Sequence, residues 1–178
     1  MVDPSVYFVM DLSGDPLLRL PISSWQGTRR LTAASYVQCV VPAAAEHLDA
    51  VMARYAQGEG ARINLARRVL APDGTVSEPA VVSVPMDSPT YDRGSRRATL
   101  TLSGYEHQTY DDTTTQRLLT GVRSWSQTAT TQRVRASIDW ILRPGMVAEG
   151  EGWSFTVDWI SYYVNRSDQY MDIGARAL

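Results

Sequence analysis

The feature that most constrains the fold is an alternation of apolar and polar residues with period two, which recurs along the chain and changes period only once. From Ser35 to Val41 the run Ser-Tyr-Val-Gln-Cys-Val-Val puts Val37, Cys39 and Val41 on one face and Tyr36, Gln38 and Val40 on the other. A pleated strand sends successive side chains to opposite sides, so this spacing predicts a strand with one buried face. Residues 98 to 103 repeat it, with Ala98, Leu100 and Leu102 inward and hydroxyls outward. Ser5 to Leu12 is β-branched and aromatic and ends in Ser13-Gly-Asp-Pro16, a strand followed by a reverse turn. Residues 17 to 31 supply a return strand interrupted at Pro21. Residues 61 to 70 and 80 to 84 form a predicted hairpin around the turn Ala71-Pro-Asp-Gly74. Residues 133 to 142 and 153 to 159 read as a second hairpin, with a wide tip from Arg143 to Gly152.

The period changes between Pro42 and Gly58. Leu48, Val51, Met52 and Tyr55 are spaced i, i+3, i+4, i+7, which predicts a helix over about residues 43–57 with these four residues facing the sheet. Pro42 suits a first turn, Glu46 and Asp49 lie toward the positive end of the helix dipole, and Gly58 and Gly60 stop the element. The fold expected is mainly β, with one helix. Residues 1–178 form one β-rich domain or two halves, 1–104 with the helix and 117–178, joined by a polar loop over 105–116.

Residue counts exclude several chemistries. One cysteine, Cys39, cannot build a disulfide framework or a thiolate cluster, and two histidines, His47 and His107, leave little for a histidine metal site. The 17 basic residues, every one an arginine, stand against 19 acidic ones, so no net pull toward nucleic acid or anionic lipid arises. No apolar run reaches the roughly 20 residues that span a bilayer, and Met1-Val-Asp-Pro4 does not begin like a signal peptide. The expectation is a chain without a membrane anchor that is not exported by that route.

The sequence has no phosphate-binding loop, dinucleotide fingerprint, zinc-protease helix or nucleophile elbow. His47 lies on the polar side of its helix with no second histidine one turn away. His107 with Asp111 and Asp112 could hold a hard cation or serve a small hydrolase, but the calcium-loop glycine and distal glutamate are missing. Cys39 sits on the buried side of its strand, where a thiol is inert. The pairs Arg29-Arg30, Arg67-Arg68 and Arg96-Arg97 could build a basic band, yet no stacking motif or recognition helix accompanies them. Solvated faces or salt bridges between subunits are their expected use. From Trp159 to Val164 apolar bulk falls on both faces, which fits either a central strand in a two-layer core or a subunit interface.

The order of these segments resembles a known family. Ser35-Tyr-Val-Gln-Cys-Val-Val-Pro42 running into a short helix, strands around Pro72-Asp-Gly74, and Asp92-Arg-Gly-Ser-Arg-Arg-Ala-Thr-Leu-Thr-Leu-Ser-Gly104 resemble small structural proteins at the tail tip of long-tailed bacteriophages, of the distal tail or baseplate hub kind. Leu142-Arg-Pro-Gly-Met-Val147 and Trp153-Ser-Phe-Thr-Val-Asp-Trp-Ile-Ser-Tyr-Tyr-Val164 are similar to their closing strands. The resemblance implies a tail-tube-like β-barrel or sandwich with one flanking helix, and a non-enzymatic virion subunit without cofactor or metal, made in the bacterial host cytoplasm. Copies would form a ring of three or six around a channel that DNA passes as cargo, contacting the tail tube, hub and fibres. Trp159, Tyr162, Tyr163, Met146, Trp153, Arg96 and Arg97 are the candidate interface residues. The alternative is a carbohydrate- or protein-binding β-module using Trp125, Trp153 and Tyr162 as stacking surfaces.

Overall fold

The computed structural model describes residues 5–42, 44–57, 61–93, 98–110 and 114–176. Its elements, in chain order, are β1 (Ser5–Leu12), β2 (Leu18–Leu20), β3 (Ser24–Arg30), β4 (Ala34–Val41), α1 (Ala44–Ala56), β5 (Arg62–Leu70), β6 (Val76–Ser77), β7 (Ala80–Pro85), β8 (Thr90–Arg93), β9 (Ala98–His107), β10 (Gln116–Leu118), β11 (Ser124–Gln127), β12 (Thr131–Ala136), β13 (Val147–Gly150), β14 (Trp153–Thr156), β15 (Trp159–Val164) and β16 (Gln169–Arg176). The chain is mainly β with one helix, as the alternation predicts, and no closed barrel forms among the described residues. It divides into two compact units, Met1–Ser24 with Val37–Tyr105, and Trp25–Tyr36 with Glu106–Leu178.

In the first unit β5 is the centre of a five-stranded sheet, paired with β1 from Ser5↔Leu70 to Leu12↔Ile63 and on its other side with β6 and β7. Met10, Leu12, Leu20, Ile63, Leu65 and Val84 are buried. Val37, Cys39 and Val41 of β4 and Leu100 and Leu102 of β9 are buried as the alternation requires. The Pro-Asp-Gly turn forms as read: Gly74 takes φ +85°, Asp73 Oδ1 accepts the Thr75 N–H at 2.8 Å, and the Ala71 N–H donates to the Thr75 carbonyl at 2.9 Å.

The helix forms, but its buried side differs from the expected stripe. Ala44, Val51 and Arg54 are buried and Leu48 is half-buried, whereas Met52 is 44% and Tyr55 38% exposed. The stripe is turned toward the i, i+7, i+10 line because Arg54 can be buried. Its guanidinium donates to the Pro16 carbonyl and to Gln57 Oε1, so the charge keeps polar partners.

In the second unit β11, β12, β16, β15 and β3 lie side by side and antiparallel. A separate three-stranded sheet has β13 between β10 and β14. The hairpin expected between residues 133–142 and 153–159 does not exist: β12 ends at Ala136 and pairs with β11 and β16. Asp139 stops the strand, its Oδ1 accepting the Ile141 and Leu142 N–H groups while Oδ2 accepts from Arg117 at 2.8 Å. The wide tip expected from Arg143 to Gly152 is instead a turn with Pro144, Gly145 and Met146 buried, then β13 and β14 joined by Glu151-Gly152. The start of the expected loop over 105–116 is strand, since β9 runs through to His107 and β10 begins at Gln116, and residues 111–113 lie outside the described residues.

Candidate functional site

The most distinctive surface lies on the second unit, on the side of its sheet opposite the core. Registers define it. Ser124, Arg135, Asp172, Ser161 and Thr28 are successive partners across β11, β12, β16, β15 and β3, so they form one transverse row on one face. The neighbouring row, one residue along, is Trp125, Val134, Ile173, Ile160 and Arg29 and faces the other way. There Val134, Ile173, Ile160, Met171, Tyr162 and Trp25 are buried, with the Trp140 and Tyr162 rings stacked at 5.8 Å and 6°.

Asp172 anchors the outer face. It is buried, and two arginines roof it: Arg135 donates through Nε and a terminal nitrogen at 2.8 and 3.0 Å, and Arg133 donates at 2.5 Å. Burial pushes the Asp172 carboxyl up, but these hydrogen bonds and the two positive charges outweigh it and hold the group below the usual carboxylate range. Hydrogen bonding to Asp172 in turn raises Arg135 above its ordinary value. The arginines also lie over aromatic rings, Arg135 at 4.4 Å and Arg123 at 5.5 Å from Tyr170, and Arg133 at 6.0 Å from Trp159. Tyr170 stacks on Tyr163 at 4.9 Å, and Arg123 pairs with Asp168 at 2.9 Å. Trp159 is opposite Gly174, where a methyl would sit 2.5 Å from its Cζ2, so glycine makes room for the indole.

At the end of this face is a hollow of about 420 Å³, lined by Thr28, Arg30, Thr131, Asp158, Trp159 and Ser161 among others. Its walls are held by backbone bonds: the Asp158 N–H donates to the Gly174 carbonyl at 2.9 Å and the Leu31 N–H to the Asp158 carbonyl at 2.8 Å. Thr28 and Ser161 share a hydroxyl hydrogen bond at 3.1 Å.

The candidate interface residues fall into three groups. Trp159 and Tyr163 are half-buried and share the outer face of β15. Tyr162 points to the core side, and Met146 and Trp153 are buried within the second unit. Arg96 and Arg97 lie outside the described residues, as do Asp111 and Asp112. Within the described arginine pairs the two side chains do not act together. Adjacent residues on a strand point apart, so Arg29 lies over the Tyr162 ring while Arg30 faces the outer hollow, and Arg68 reaches Glu78 and the Tyr7 ring. Burial pushes the Cys39 thiol up to about 12, so little thiolate forms at neutral pH. Among the described residues no group of three His, Cys, Asp or Glu side chains could hold a metal ion, and no helix is long and apolar enough to cross a membrane. Sequence reading missed Asp172, Arg133, Arg135 and Tyr170. Their signal was the period-two spacing of Arg133-x-Arg135 and Tyr170-x-Asp172-x-Gly174, polar and aromatic residues that share one face.

With this geometry the chain has the fold of phage tail proteins. It is similar to the 43 kDa tail protein of prophage MuSo2 from Shewanella oneidensis, with a TM-score of 0.61 and 6% identity over 96% of this chain and 97% of that one. A tail protein from Neisseria meningitidis MC58 aligns with a TM-score of 0.55 and 6% identity over 96% of each chain. The E. coli c3393 protein, a type VI secretion component described as structurally similar to the T4 tail proteins gp27 and gp5, aligns with a TM-score of 0.51 and 6% identity, over 93% of this chain and 75% of that one. No protein-family model and no curated protein sequence matches the chain. The resemblance read from the segment order therefore agrees with the fold.

Proposed function

We propose that the chain is a non-enzymatic structural subunit of a bacteriophage tail tip or baseplate. The observation that carries this reading is the fold, shared along 96% of the chain with two phage tail proteins. Copies form a ring of three or six around the DNA channel and connect the tail tube, hub and fibres, with DNA as passing cargo. The protein is made in the host cytoplasm and ends in the virion. A non-catalytic role is supported by the suppressed thiolate at Cys39 and by Asp172, whose carboxylate oxygens are taken up by two arginines and are not available as a general base.

Two measurements test the proposal. Mass spectrometry of purified virions should find the protein at a fixed stoichiometry, and light scattering or native mass spectrometry should find a trimer or hexamer. Absence from virions overturns the structural role, and a strict monomer both in solution and in isolated tails overturns the ring.

A further inference from the structure

We propose that the hollow on the outer face of the second unit is a binding pocket for a neutral saccharide. This goes beyond a structural role and does not depend on it.

The lining carries the chemistry of polyol recognition. Thr28, Thr32, Thr131 and Ser161 contribute hydroxyls, each both donor and acceptor. Arg30 supplies a planar donor fork and Asp158 a two-oxygen acceptor, the two group types that engage neighbouring sugar hydroxyls in pairs. Trp159 supplies an aromatic surface, whose electron-rich face attracts the weakly positive C–H groups of a sugar ring. The volume of about 420 Å³ falls inside the roughly 300–1,000 Å³ of small-ligand sites.

Charge decides between ligand classes. Among the described residues of the lining the charged ones are Arg30 and Asp158, one positive and one negative, with no surplus of cations between them. A phosphate or nucleic-acid site needs a surplus of cations. On the surrounding face Arg133 and Arg135 are bound to Asp172 and Arg123 to Asp168. A purely apolar ligand would strand the hydroxyls without partners. Cleavage is not part of the proposal, since glycoside hydrolysis uses two carboxyl groups flanking the bond and the described residues of the lining supply one.

The site is also held in shape before any ligand arrives. Arg30 and Trp159 are cross-strand partners, as are Thr28 and Ser161, and Gly174 lets the indole settle against the sheet. Little ordering remains to be done on binding.

The test is titration of the full chain with glucose, galactose, mannose, rhamnose, N-acetylglucosamine and their disaccharides, followed by tryptophan fluorescence and calorimetry. Glucuronate and inorganic phosphate form the charged arms. At least one neutral sugar should bind with a millimolar or tighter dissociation constant. Arg30→Ala should weaken it by about tenfold or more, the loss of one charge-assisted contact. Trp159→Ala should abolish it, and Tyr91→Ala on β8 should leave it unchanged. Arg30 is exposed, so circular dichroism of Arg30→Ala should match the wild type and that variant decides the matter if Trp159→Ala misfolds. The proposal is overturned if no neutral sugar of the panel binds, if phosphate or glucuronate binds more tightly than every neutral sugar, or if Arg30→Ala binds as well as the wild type. None of these results bears on the tail reading, which rests on the fold and is tested in virions.

Discussion

Replacing Asp172 with asparagine tests whether the arginine roof stabilises the second unit. The carboxylate is buried beneath Arg133 and Arg135, which donate three hydrogen bonds between 2.5 and 3.0 Å. Breaking a fully buried ion pair costs about 3–5 kcal/mol because a charge is stranded. Here the side chains left behind are 53% and 40% exposed, so water takes up their charge and that part of the cost is small. What remains is the loss of charge-assisted bonds, about 1.5–3 kcal/mol, partly recovered by the asparagine carbonyl. An expected loss of about 2 kcal/mol corresponds to a Tm lower by roughly 4–8 °C in a chain of this size. The pH dependence has a definite sign. The folded pKa of Asp172 lies below its ordinary value, so its contribution is present above the usual carboxylate pKa of about 3.9 and disappears as the pH falls through the folded value. Thermal unfolding followed by near-ultraviolet circular dichroism should therefore show wild type and Asp172→Asn separated at neutral pH and converging as the pH falls below the usual carboxylate range. Equal melting at neutral pH, or a gap that persists undiminished in acid, would refute the reasoning.

Three further outcomes follow from the packing. Val51→Asp should unfold or strongly destabilise the first unit, since it places a charge where apolar burial contributes about 2 kcal/mol, while Met52→Asp should melt like the wild type. Gly174→Ala should displace the Trp159 indole and cost about 1–3 kcal/mol, seen as a shifted tryptophan emission, whereas Gly74→Ala meets no atom within 4 Å and should cost only about 1 kcal/mol for its positive φ. The Cys39 thiol should resist Ellman's reagent in the native protein and react at once in guanidinium; rapid native reaction would mean that β4 opens readily.

What the sequence made legible was whatever one strand decides by itself. The alternation at Val37, Cys39 and Val41 and the turn at Asp73-Gly74 are local, set by pleat and by side-chain-to-backbone bonds a few residues apart. Pairing is not local. Residues 133–142 and 153–159 carry matching patterns that predict a hairpin, but nothing in either segment tells that β12 takes β16 as its neighbour. A polar residue forming a hydrogen bond at the right place outweighed periodicity twice. Asp139 ended a strand that the apolar positions Ile138, Trp140 and Leu142 would have continued, and Arg54 turned the helix away from Met52 and Tyr55. The outer face was hard to find for the same reason. Asp172, Arg135 and Ser161 belong to three strands and become one row only through register.

Assembly has to be probed without damaging the fold, and that excludes the segment from Met146 to Glu151. If those residues formed a free hairpin tip, their deletion would leave the domain intact. Met146 and Ala148 are buried, however, and β13 is the strand between β10 and β14, so the deletion removes the centre of the three-stranded sheet. Loss of infectious tails after it would report a broken second unit and nothing about contacts between copies. Tyr163 is a better probe. It is half-buried on the outer face, its main contact there is the stack on Tyr170, and the core residues Ile160, Tyr162 and Val164 alternate with it on the opposite side. Losing an aromatic pair costs about 0.5–1.5 kcal/mol beyond the buried area, so Tyr163→Ala should fold with a modestly lower Tm. If this face seats a neighbouring tail protein, the same variant should be depleted from purified virions; full incorporation at the wild-type level would place the contacts between copies elsewhere on the chain.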